Sequence, residues 1–295
     1  EIVMLEEISF IVFRGLGAGG LTAMIALSFN IVHTSSRVLN FATGNLLIAA
    51  AFVSALFFSP TDGLWSWVLL LLASTIGVGL LVAIQGYITL LPLKYTEENS
   101  WLVTTMAASV IIGALLLLTQ GPFVQTAADP LPPLSLFGMR TPASYALCII
   151  LAFVWFIALH YFLTRSWTGL AISALSQDYD AARTAGIPVR RLQLVAFFVS
   201  GLIMGSAGFI AAPIMSISPD AGFRYVINGF IGAIVGGLDN NIGALVGGFL
   251  VGVLSMLTIY TVGGEFESVI TLALMVAVLM IRPQGLFGRT QARRV

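Results

Sequence analysis

Charge is what this sequence lacks. Only 9% of its 295 residues are Asp, Glu, Lys or Arg, and almost none of these falls inside a long apolar run. A water-soluble chain of this size needs a charged shell to stay dispersed, and there is no material here for one. Lys94 is the only lysine and no glycine-rich loop precedes it, which excludes a phosphate-binding P-loop. If ATP drives any activity, another chain must bind it. The only histidines, His33 and His160, have no Cys or acid pair near them at metal-ligand spacing, so neither a catalytic nor a metal-binding residue is expected. A lone cysteine, Cys148, excludes a disulfide framework. Zero net charge argues against nucleic acid as a partner.

What is present is apolar. Hydrophobic residues make up 58% of the chain, and the mean hydropathy is +1.01. The runs are long enough to cross a hydrocarbon core of about 30 Å. The fold class expected is therefore all-α, a single polytopic membrane domain over 1–295 with about 8–10 transmembrane helices, some broken or re-entrant. Nine apolar segments can be marked, at 8–32, 41–59, 64–92, 101–119, 144–164, 193–215, 224–238, 242–262 and 268–281. The seventh is short and is interrupted by Asn228 and four glycines, so it reads either as a span or as a broken, re-entrant helix. The first has an acidic rather than basic start, and its glycines suit helix packing better than a cleavable signal.

The charges between the segments give an orientation. With 165–192 placed in the cytoplasm, that side carries Arg37, Lys94, Arg165, Arg183, Arg190, Arg191, Arg282, Arg289, Arg293 and Arg294. Arg14, Arg140 and Arg224 remain outside, and an excess of basic residues on the inner side is what membrane insertion favours. The N-terminus is then expected outside and the C-terminus inside. Every acid can be placed in a loop or at a span end, so proton-coupled transport has no visible relay. Sodium coupling through hydroxyls and carbonyls stays open. Both histidines are assigned structural roles, His33 in a loop. The small-xxx-small pairs Gly201/Gly205, Gly232/Gly236, Gly243/Gly247 and Gly248/Gly252 suit close helix packing.

Two stretches break the apolar pattern, Arg37 to Asn45 and Gly236 to Gly243. Irregular backbone at membrane depth survives only where it is buried in protein or lines a cavity, and paired interruptions point to a substrate path. The alternative is two ordinary turns, the second an Asp-Asn-Asn turn between antiparallel helices. The candidate path residues are Asn40, Thr43, Gly44, Asn45, Asn228, Gly236 and Gly237. Asn40, Thr43 and Asn45 are expected to face the bundle interior at the cytoplasmic end of a span, close to 232–237.

The longest structured polar stretch is the 165–192 loop. Ser173 to Ala185 has no proline or glycine and predicts one short helix, stopped by Gly186 with Pro188 following. It is too short and too polar to span, so it either lies along the membrane or docks a partner.

Asp180-Ala181-Ala182, then Gly186, resembles the EAA…G loop with which importer permeases hold their ATPase, with Asp in place of Glu. A fuller set of motifs is similar to the permease family of branched-chain amino acid ABC importers, of LivH type. The set comprises Arg37 to Asn45, Gln177-Asp178 before Ala181-Ala182 and Gly186-Ile187, Ser218-Pro219 with Gly222-Phe223, Gly236-Gly237 with Gly243-Ala244 and Gly247-Gly248, and Arg282-Pro283-Gln284-Gly285-Leu286-Phe287-Gly288. These lie in order over nearly the whole chain. The chain departs from the family at Thr43-Gly44-Asn45, where His-Gly-Glu is usual, and at Asp239-Asn240, where Gly-Ser is usual.

The resemblance implies the permease subunit of an inner-membrane ABC importer for a small solute, branched-chain or other hydrophobic amino acids first, with urea, amides or aromatic acids as family alternatives. It implies ATPase coupling through Gln177, Asp178, Asp180, Ala181, Ala182, Arg183 and Gly186. The implied partners are a second permease chain, identical or homologous, two cytoplasmic ATPase chains that carry the ATP and Mg2+, and an extracytoplasmic solute-binding protein, all around a lipid bilayer. The permease itself needs no cofactor. A self-sufficient secondary transporter or facilitator for a small neutral solute, and a non-transporting membrane scaffold, are the other readings.

Overall fold

The structure is a computed structural model and describes residues 2–90, 100–136 and 139–288; Lys94, Arg289, Arg293 and Arg294 of the charge pattern lie outside the described residues. Eleven α-helices account for nearly all of it: α1 Ile2–Ser36, α2 Thr43–Phe57, α3 Gly63–Leu90, α4 Ser100–Gln120, α5 Ser144–Arg165, α6 Trp167–Gln177, α7 Tyr179–Thr184, α8 Val189–Ala211, α9 Ala221–Gly236, α10 Asn241–Thr261 and α11 Glu267–Ile281. One antiparallel hairpin, β1 Leu134–Leu136 and β2 Met139–Thr141, lies between α4 and α5. The protein is an all-α polytopic membrane protein.

Seven helices are long and apolar enough to span: α1, α3, α4, α5, α8, α10 and α11, the last with the 3-10 turn before it. α2 and α9 have only 15 and 16 residues. At about 1.5 Å per residue they fall well short of a core about 30 Å thick. Both ends of the marked segment 41–59 mislead: Phe41 and Phe58 are buried and apolar but lie outside the helix.

α1 and α8 form the centre and are mostly buried, whereas α3, α4 and α11 lie at the periphery and are mostly exposed. α1 runs along α10, and α3 along α8. Backbone meets backbone on both seams. A Cβ added at Gly252 would lie 2.1 Å from the Gly19 Cα, and one at Gly201 would lie 2.7 Å from the Gly79 Cα. Lipid is as apolar as leucine, so such close van der Waals contact, rather than apolar burial, holds membrane helices together. α2 is buried along most of its length, against α8.

The 165–192 loop folds as two helices rather than one. Asp178 adopts an extended conformation and breaks the predicted Ser173–Ala185 helix. Its carboxylate accepts from the Ala181 amide at 2.9 Å, so it starts α7 as an N-cap. α6 begins earlier than expected, because the Ser166 hydroxyl accepts from the Gly169 amide at 2.9 Å.

Candidate functional site

The first interrupted stretch sits deeper than a cytoplasmic turn. The Asn45 amide donates to the carbonyl and, at 3.0 Å, to the hydroxyl of Ser109. Ser109 is the tenth of the 21 residues of α4, so Asn45 is level with the middle of that helix. The preceding backbone climbs from the end of α1 to that level through Val38 to Ala42, all buried. Its polar groups are satisfied internally, as the depth requires. Asn40 donates to the Gln85 side chain at 2.6 Å and accepts from the Ala42 amide at 3.1 Å, and the Thr43 hydroxyl donates to the Asn40 carbonyl at 2.7 Å.

Asn40, Thr43, Gly44 and Asn45 therefore come together, buried in protein, as expected of their orientation. Their neighbour is different. Gly44 packs on the Gly222 carbonyl and Val226, and Asn45 on Gly222, at the start of α9 rather than near 232–237. Phe41 reaches Phe230 with ring centroids 5.7 Å apart. The N-termini of the two short helices thus meet in the middle of the bundle, and neither N-cap residue, Ala42 or Asp220, makes a side-chain cap. First-turn amides have no partner in their own helix and carry the positive end of its dipole.

Gly236 and Gly237 lie elsewhere, at the opposite end of α9. A Cβ at Gly236 would be 2.0 Å from the Gly243 carbonyl, so this glycine is a helix-packing contact with α10. Gly237, with φ +107°, ends α9. The 282–288 segment closes over that end: Leu286 and Phe287 amides donate to the Val235 and Gly236 carbonyls at 2.8 and 2.9 Å. Asn240 caps α10, accepting from Ile242 and Gly243 at 3.0 and 3.2 Å. The second interruption is thus a turn between helices.

Asn228 occupies a third place. It donates to Glu267 at 3.1 Å. Both line a cavity of about 90 Å3 with Thr22, Tyr145, Tyr225 and Ser255, whose buried hydroxyl has no hydrogen-bond partner. The seven path candidates therefore divide among three sites.

The turn holds an ion pair that the sequence did not reveal. Arg37 Nη1 donates to Asp239 Oδ2 at 2.7 Å, and His33 Nδ1 lies 2.8 Å from Asp239 Oδ1. His33 is in the last turn of α1, not in a loop. Burial pushes the Asp239 carboxyl up, but the hydrogen bond from His33 and the charges of His33 and Arg37 outweigh it and hold the group below the usual carboxylate range. The pair is half exposed, at 47% and 34%, so it contributes about 0–1 kcal/mol. Arg37 and Asp239 have φ of 57° and 70°. A left-handed conformation costs a non-glycine residue about 1–2 kcal/mol.

In the 165–192 loop, Gln177, Asp178, Ala181, Arg183 and Gly186 are exposed and Ala182 is buried against the core. Asp180 lies within α7, and its side chain is outside the described residues. Sequence reasoning missed Gln85 and Ser109, and singled out Gly222 only as part of a family motif. Gln85 at least carries a signal, being an amide inside the apolar run 64–92.

A family model described as "Branched-chain amino acid transport system / permease component" matches residues 11–279. The LivH permease of the high-affinity branched-chain amino acid transport system of Salmonella typhimurium is 25% identical, over 96% of this chain and 96% of its own. A probable branched-chain amino acid permease LivH of Methanocaldococcus jannaschii is 29% identical, over 91% and 89%. The ribose import permease RbsC of Escherichia coli is 24% identical, over 82% and 76%. No solved structure gives a significant match. Among the described residues, seven helices long and apolar enough to span and two shorter apolar ones agree with a family match along nearly the whole length: the chain belongs to the family of permease components of branched-chain amino acid transport systems.

Proposed function

We propose that this chain is the membrane-spanning subunit of an ATP-driven importer of branched-chain or other hydrophobic amino acids. The observation that carries the ATP-driven part is the α6–α7 loop. It is a pair of helices too short to span, exposing Asp178, Ala181, Arg183 and Gly186 at the same end of the bundle as Arg37. An exposed, well-capped element on an otherwise apolar protein is suited to holding a partner, and the relatives' names support a transport system of several parts. In this reading ATP and Mg2+ sit on two cytoplasmic ATPase chains. A second permease, identical or homologous, completes the membrane unit, and an extracytoplasmic binding protein delivers the solute. In this reading the closely packed junction of α2 and α9 around Asn45 borders the path and does not form its open passage.

ATP binding and hydrolysis then shift the bundle between outward- and inward-facing states by their differential affinity for the two. The permease does no bond chemistry. Its own contribution is a path and two conformations. The test is co-purification: the tagged chain, extracted in mild detergent, should bring down ATPase chains in stoichiometric amount. A chain that purifies alone under those conditions contradicts the reading.

Orientation in the inner membrane, with the α6–α7 end in the cytoplasm, follows from the basic residues at that end. Cys148 is fully buried, and its replacement by alanine gives a silent background. In it, Ala185→Cys should react with an impermeant thiol reagent only after the membrane is opened, and Glu265→Cys in intact spheroplasts. Both positions are exposed. Reversed labelling would overturn the orientation and the docking role together.

A further inference from the structure

Arg37 and Asp239 are the only non-glycine residues with positive φ among those described, and they are bonded to each other. Arg37 directly follows α1 and opens the buried stretch that leads to α2. Asp239 lies in the turn between α9 and α10. The second arm of the Arg37 guanidinium donates to the carbonyl of Ser176, the penultimate residue of α6. One side chain therefore joins three elements: the start of the 37–42 stretch, the α9–α10 turn, and the loop whose next helix begins at Tyr179. Thr34 and His33 add contacts to the other carboxylate oxygen of Asp239, Oδ1, at 3.5 and 2.8 Å.

The joint is a poor stabiliser. Its ion pair is half exposed, and two strained residues form it, so the stability it contributes does not exceed the strain it stores. Weak, strained contacts between separate elements are readily broken and remade.

We propose that the Arg37–Asp239 pair is a coupling latch. Arg37 is the positioning residue through which movement of the α6–α7 loop reaches the α9–α10 turn and the start of the α2 entry stretch. This rests on the docking role of the loop.

The test uses the complete transporter in proteoliposomes and reads leucine imported per ATP hydrolysed. Arg37→Gln and Asp239→Asn should each lower that ratio by about fivefold, the low end of a typical coupling between sites, with hydrolysis continuing and the ATPase chains still bound. The double variant should fall no further than either single one, because both remove the same link. An unchanged ratio overturns the proposal, as do single effects that multiply in the double variant. Loss of the ATPase chains from either variant also overturns it, since the pair would then be an assembly contact. Failure of the docking role itself shows separately, as normal coupling when Gly186 is replaced.

Discussion

Leucine in place of Gly222 or Gly44 is expected to destabilise the purified protein by about 3 kcal/mol or more, at the upper end of overpacking lesions. A Cβ at Gly222 would lie 2.0 Å from the Asn45 side-chain oxygen and 2.9 Å from its Cα. One at Gly44 would lie 2.3 Å from the Gly222 carbonyl. These are backbone or tightly bonded neighbours, because Asn45 is itself held on Ser109. They cannot yield without parting α2 from α9. Bulk at Gly44 would therefore break a helix junction. Thermal unfolding in detergent checks this, with Gly77→Ala as the control, since a Cβ there meets nothing within 4 Å. A leucine variant that melts like the wild type would remove the junction from the account.

Valine at Gly186 should act differently, with normal insertion and melting but import reduced about tenfold or more. Gly186 has φ +82°, and an added Cβ would find nothing within 4 Å, so the cost is conformational and not steric. It amounts to about 1–2 kcal/mol for a side chain in the left-handed region, which corresponds to about tenfold in an equilibrium. The strain falls on the α7 terminus, where the Gly186 amide donates to the Arg183 carbonyl and the Ile187 amide to the Ala182 carbonyl, each at 3.1 Å. Asparagine tolerates this conformation, so Gly186→Asn should retain most of the import. Measuring substrate-stimulated ATP hydrolysis beside uptake separates uncoupling from loss of protein. Normal coupling in the valine variant would show that the loop does not dock the ATPase.

The fold was legible where the cause is local. Apolar run length identifies α3, α4, α5 and α10 to within a few residues, because nothing but a helix satisfies the backbone in lipid. The left-handed glycine after α7 was legible for the same reason, from Gly186 and Pro188 alone. Depth was not legible. Segment 41–59 has the length of a span, and only the bond from Asn45 to Ser109, 64 residues away, shows that α2 starts inside the bundle. The departures Asn45 and Asp239 were visible in the sequence, but their meaning lies in distant partners, Gly222 for one and Arg37 for the other. Asn228 was grouped with Gly236 by composition. The chain direction of α9 separates them, since eight residues of helix span about 12 Å.

The most direct test of the central claim is solute flux through the chain with and without its ATPase. The purified chain is placed in liposomes alone, then with the ATPase chains and the binding protein, and uptake of labelled leucine is followed with and without ATP. The expected result is no flux through the chain alone and ATP-dependent uptake in the assembled system. Leucine flux through the chain alone at a rate unaffected by ATPase or ATP would contradict it, and would make the protein a self-sufficient facilitator.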